Sequence, residues 1–172
     1  MVDVSATIAQ MAKMLGVLSC LLDKAEAHAN AHGLSEEEVL GASLATDMFS
    51  LTKQLQAAAD NAKFAATRLA QIEPPKDPDD EATFAELRDR LVRTKTFLEG
   101  FGPEDFDDPS TVRIILPFAE TMYAPGDEYL TQFAEPNFYF HTVTAYGILR
   151  NLGVDIGKRD YLGKVPLRPI TP

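Results

Sequence analysis

Apolar residues recur three and four apart over four long stretches of the chain, and each stretch predicts an amphipathic helix. In the first, about residues 5–31, Ile8, Met11, Leu15, Leu18, Leu22 and Ala25 form one stripe, and Gly33 stops it as a C-terminal cap. Ser35 followed by Glu38 reads as a capping box for one short turn of helix. The second helix, about residues 47–72, starts at Asp47 as N-cap. It carries Met48, Leu51, Leu55, Ala58, Ala62, Ala65, Leu69 and Ile72. So many alanines let a neighbouring helix approach closely.

Glu73 to Asp80, with three prolines, breaks the pattern and reads as a stiff surface linker. It is not a domain boundary, because neither flank can bury its stripe alone. Thr83 and Glu86 form another capping-box pair, opening a third helix over about residues 83–99 with Phe84, Leu87, Leu91 and Leu98. Gly100, Gly102 and Pro103 end it. Val112, Ile114 and Leu116 alternate with Arg113 and Ile115, a turn falls near Pro117, and a second strand ends at Tyr123: a short β-hairpin. A lone hairpin is marginal, so it must pack on the helices. The fourth helix spans about residues 127–152, with Pro136 expected to kink it or loosen its first turns. Val154 to Pro172 is expected to wrap the bundle as irregular chain. The reading is therefore all-α, a four-helix bundle with a short β-hairpin before the last helix and an irregular C-terminal tail, forming one domain over residues 1–172. The alternative is such a bundle paired with a second copy of itself.

Composition narrows the partners. The chain has 172 residues, a formal net charge of −10 and no basic patch, which argues against nucleic acid and against an anionic membrane surface. The N-terminus lacks a signal-peptide pattern, and no run reads as long and apolar enough to span a bilayer. Cys20 is the only cysteine, which suits a reducing compartment, so a cytoplasmic location is expected. Cys20 lies among Leu18, Leu21 and Leu22 and reads as a small core residue.

Candidate chemistry concentrates on the fourth helix. Along the stripe Leu130, Ala134, Asn137, His141, Ala145, Ile148 and Leu152, only Asn137 and His141 are polar. They stand four apart on the face directed into the bundle, where a polar group without partners costs on the order of 1–3 kcal/mol. Ala134 and Ala145 leave room for a partner or a ligand. Three readings stay open: a core histidine bonded to a neighbouring helix, a small-ligand pocket, or a metal site. In the last, imidazole is a good ligand and the Asn137 amide a poor one. His28 and His32, also four apart, end the first helix, where His32 suits the helix dipole and solvent. On the second helix Gln54, Asn61 and Asp47 are the polar residues nearest the apolar stripe, with Gln54 the best candidate partner for a buried His141. Asp60 reads as a solvated charge or a partner of Lys63. Gly-rich phosphate loops and Gly-x-Ser-x-Gly elbows are absent from the sequence.

Two blocks then carry a resemblance. Pro136-Asn137-Phe138-Tyr139-Phe140-His141 followed by Thr144 to Arg150, and Gly157-Lys158-Arg159-Asp160-Tyr161-Leu162-Gly163, resemble a bacterial family of uncharacterised proteins in the DinB/YfiT-like superfamily. Leu22 to His28 and Ala45 to Phe49 also fit it. The resemblance implies a four-helix bundle, often a homodimer. It also implies a metal site built from one histidine of the second helix and two, spaced four apart, of the last. Several members of the superfamily are thiol-dependent transferases or isomerases. The second histidine of the last helix stands eight residues before a Leu-Arg pair, which matches His141 ahead of Leu149-Arg150. The position four earlier holds Asn137, and the second helix has no histidine, with Gln54 or Asp47 in that neighbourhood. The expected pocket is thus His141, Asn137, Gln54, Asp47 and His28, with His141 as the one metal ligand carried over. The leading reading is a non-catalytic or small-ligand-binding bundle with a degenerate site and no cofactor. The alternatives are an enzyme with a rebuilt divalent transition-metal site (zinc, nickel, manganese or iron) and a purely structural homodimer.

Overall fold

Every expected helix is present, and the differences lie at their ends. The computed structural model describes residues 2–170. Helix α1 (Val4–His32) is capped by Asp3, whose carboxylate accepts from the Ala6 N–H, and ends at Gly33 in the left-handed region, φ 68°. Helix α2 (Glu36–Leu40) carries the Ser35–Glu38 capping box. Helix α3 (Leu51–Leu69) begins four residues later than expected. Its cap is Ser50, which accepts from the Lys53 N–H, while Asp47 lies exposed in the preceding loop. Two hydroxyl or carboxylate caps compete within that loop, and Ser50 is the one that lets Leu51, the first core residue of the stripe, start the helix. Helix α4 (Phe84–Leu98) follows its Thr83–Glu86 capping box.

The hairpin is shorter than the alternation suggests, and its second strand lies just past Tyr123, where it was expected to end. Strand β1 (Arg113–Ile114) pairs antiparallel with β2 (Ala124–Pro125), and nothing longer forms. The residues between them leave Ile115, Phe118, Met122 and Tyr123 exposed. The last helix is built in three pieces: α5 (Gly126–Tyr129), one π-helical turn over Leu130–Ala134, and α6 (Glu135–Asn151). Pro136 explains the middle piece. It has no N–H and its ring crowds the preceding turn, so an ordinary α-turn cannot run through it. The π-turn, closed by the Glu135 N–H on the Leu130 carbonyl, takes up one extra residue and puts Pro136 in the first turn of α6, where an N–H is not needed. The tail is less irregular than expected. Helix α7 (Lys158–Leu162) docks on α1 and α6 through Lys24–Asp160 at 2.6 Å and Tyr161 Oη to Thr142 Oγ1 at 3.0 Å.

The core sits where α1 packs on α4 and α3 packs on α6, with α3 also touching α1 and α4. Alanines 58, 62 and 65 are fully buried, as close packing of α3 requires. Two sequence expectations are corrected here. Cys20 is exposed, because it falls one residue off the stripe that Leu18, Leu21 and Leu22 bury. Helix α1 is, by length and apolar content, long enough to cross a bilayer, although half of its most apolar window is buried against the other helices.

The proline-rich linker is fastened by charge. Arg90 of α4, 1% exposed, pairs through one terminal nitrogen with Asp79 (2.6 Å) and Glu81 (3.0 Å) and through the other with Asp60 of α3 (2.9 Å). Lys63, also buried, pairs with Asp60 (2.8 Å) and with Asp77 of the linker (2.7 Å). Burial works against ionisation of Asp77, but the Lys63 hydrogen bond and the charges of Lys63 and Arg90 outweigh it and hold its carboxyl below the usual range.

Candidate functional site

Two polar rungs join α3 to α6. In the first, His141 Nδ1 lies 2.7 Å from Gln54 Oε1, and Gln54 Nε2 donates to the Phe49 carbonyl at 3.3 Å. The second amide bond fixes the first: Gln54 turns its oxygen to the ring, so Nδ1 carries the proton and donates. The basic lone pair of the neutral ring is then on Nε2. Burial pushes the His141 pKa down, which favours that neutral form. In the second rung, one helical turn away, Asn137 Nδ2 donates to Asn61 Oδ1 at 2.6 Å, and Asn61 Nδ2 donates to the Ala57 carbonyl at 2.8 Å.

His141 is 8% exposed, and its Nε2 is not among the buried atoms left without a partner. Two aromatic side chains flank the ring. Phe49, from the loop before α3, stacks at 6.3 Å between centroids with 11° between planes, and Phe140 meets the ring edge-on at 5.3 Å. Both phenylalanines are more than half exposed, at 57% and 55%. The site is therefore a nearly buried imidazole flanked by two half-exposed phenylalanines.

Of the five residues expected to share a pocket, the fold joins three in the two rungs: His141 with Gln54, and Asn137 beside them. Asp47 is exposed in the loop that carries Phe49. His28 abuts Gly153, which lies past the C-terminal end of α6 and twelve residues beyond His141 along the chain. His28 instead stacks on His32 at 4.1 Å between centroids, and His32 Nδ1 donates to the His28 carbonyl at 2.8 Å. Phe49 and Phe140 were missed as site residues. Loop placement carries no periodic signal for Phe49, and Phe140 reads from the sequence as packing.

The donor chemistry tests the metal site that the resemblance implies. One imidazole stands among carboxamides, which are poor ligands for zinc, nickel or iron, and the Gln54 oxygen is already held by the His141 N–H. No group of three His, Cys, Asp or Glu side chains among the described residues could hold a metal ion. The residues present do not fit a divalent transition-metal centre.

Comparison with known proteins agrees with this architecture. The family model for a domain of unknown function, DUF1993, matches residues 4–162. A crystal structure of a DinB family member protein from Shewanella denitrificans is similar with a TM-score of 0.91 and 44% identity, over 95% of this chain and 93% of that one. No curated protein matches the chain.

Proposed function

The chain belongs to the DUF1993 family, a DinB-like family, and from that premise we propose that it binds a small organic molecule at His141 without a transition metal. The observation that supports this is the His141–Gln54 hydrogen bond. It consumes the nearest carboxamide oxygen, favours the ring as a neutral acceptor, and leaves Nε2 as its free acceptor in what we read as a shallow recess beside Phe49 and Phe140. A ligand suited to the recess carries a hydrogen-bond donor on a flat apolar body: the donor meets Nε2 and the ring stacks on the phenylalanines. Phenol is the simplest probe. Titration is expected to shift the His141 ring resonances, and Phe49→Ala to weaken binding several-fold. Elemental analysis of tag-free protein is expected to find no stoichiometric metal. Near-stoichiometric zinc, nickel, manganese or iron would overturn the reading.

A second observation favours pairing of two copies. Pro136, Phe140, Val143 and Gly147 run along the outer face of α6 beside Leu44 and Phe49. That strip bears no charge on a chain of net charge −10, so it is where two like-charged copies repel least. We expect a symmetric homodimer over this strip, closing the recess above His141. Sedimentation should give a dimer mass at micromolar concentration and a monomer for Val143→Glu. A monomeric wild-type protein counts against it.

A further inference from the structure

We propose that the groove between the proline-rich linker and α4 binds a small monocarboxylate, and that Asp77 occupies the carboxylate position when the groove is empty. The groove encloses about 210 Å³ and is lined by Lys63 of α3, Pro75, Lys76 and Asp77 of the linker, and Arg93, Thr94 and Phe97 of α4. At about 30 Å³ per water that is room for a short organic acid, not for a nucleotide.

Charge selects the ligand. Three cationic side chains and one carboxylate line the groove, a local balance of +2 on a chain of −10. Behind this lining Arg90 is shared by Asp60, Asp79 and Glu81, so the positive excess is confined to the side chains that face the groove. The one lining carboxylate shows how an acid would sit. Asp77 places one oxygen 2.7 Å from Lys63 Nζ and the other 3.4 Å from an Arg93 terminal nitrogen, so it bridges the two cations. The Arg93 contact is long and its side chain 59% exposed, which leaves most of its N–H donors unused. Lys76 makes no ion pair among the described residues. Pro75 and Phe97 give apolar walls beside these donors, which suits a carboxylate on an aromatic or short aliphatic body better than inorganic phosphate.

Asp77 can yield because Lys63 does not depend on it. Asp60 holds the same ammonium at 2.8 Å, so the buried charge keeps a partner when the linker carboxylate turns out. A bound acid therefore exchanges one carboxylate for another and lifts the Pro75–Asp77 segment, with no bond made or broken.

The test is calorimetric titration of the full chain with benzoate, with inorganic phosphate as the control anion. Wild-type protein is expected to bind benzoate with a Kd on the order of millimolar. Asp77→Asn removes the internal competitor and is expected to tighten benzoate binding by about tenfold or more. Arg93→Gln and Lys76→Gln alter exposed side chains and leave the fold intact. Each is expected to weaken benzoate binding several-fold in the wild-type and Asp77→Asn backgrounds alike. The proposal is overturned if neither wild type nor Asp77→Asn binds benzoate, or if Asp77→Asn binds it no more tightly than wild type. Binding unaffected by Arg93→Gln, or binding of phosphate in preference to benzoate, also overturns it. If Asp77→Asn does not fold, the comparison of wild type with Arg93→Gln decides by the same criterion.

Discussion

Arg90→Ala is expected to destabilise the protein by about 3–5 kcal/mol, the range for removing one partner of a buried ion pair. The guanidinium is 1% exposed and holds three carboxylates, and they do not lose it equally. Asp79 is well exposed and turns to water, and Asp60 keeps Lys63 at 2.8 Å. Glu81, whose side chain is nearly inaccessible, is left with only the Gln56 amide N–H at 2.7 Å, so most of the cost falls there. The cluster is not perfectly satisfied even intact, since Arg90 Nε and Gln56 Oε1 are buried without partners. A neutral replacement of the pair is accordingly expected to be milder: with Arg90→Met, Glu81→Gln removes the stranded charge and keeps an acceptor for the Gln56 amide, so the double variant should recover most of what Arg90→Ala loses. Urea unfolding of the three proteins measures this. A cost below about 1 kcal/mol for Arg90→Ala would mean that the linker carboxylates reach water freely and that the cluster does not fasten the linker.

Residue spacing made the helices legible and left their ends and their charges obscure. Burial of one stripe in four suffices to place α1, α3, α4 and α6, because a repeat of three and four allows only one inward face. Caps are weaker signals. Asp47 and Ser50 are both good N-caps within one loop, and choosing between them requires knowing that Leu51 is the first residue to reach the core. Pro136 announced an interruption, but whether a helix kinks or inserts a π-turn depends on what its next turn must pack against. At the candidate site, the inward stripe through Asn137 and His141 identified the acceptor helix, and Gln54 followed as the polar residue flanking the facing stripe. His28 and Asp47 were drawn in by chemistry alone, and neither shares that face. Arg90 gave a usable signal that went unread: it falls three after Leu87 and four before Thr94, among positions that face inward. Its partners could not be read, because Asp77, Asp79 and Glu81 lie in a linker without periodicity.

His141→Ala is expected to cost about 2–4 kcal/mol, with the loss shared between two causes. Gln54 is 1% exposed, so its oxygen loses its donor and stays buried, at about 1–3 kcal/mol. The missing imidazole also leaves a cavity beside Ala145 and Phe49 that rigid α3–α6 packing closes only in part. His32→Ala, on an exposed ring at the end of α1, should change stability by roughly 0.5 kcal/mol or less. The pH dependence separates the ring's role from its size. Burial lowers the His141 pKa in the folded protein below its ordinary value of 6.5, so between those two values the unfolded chain binds more protons than the folded one. The contribution of His141 to stability is therefore complete above that ordinary value and declines as pH falls through the window towards the folded pKa. The groups that touch the ring, Gln54, Phe49 and Phe140, carry no charge and do not alter the sign. His141→Gln keeps a polar side chain and cannot titrate, so its stability relative to wild type should rise as pH falls through the same window. A constant difference between the two proteins across that range would show that the ring is equally accessible to protons folded and unfolded. The buried, Gln54-bonded histidine, and the ligand recess built on it, would then be wrong.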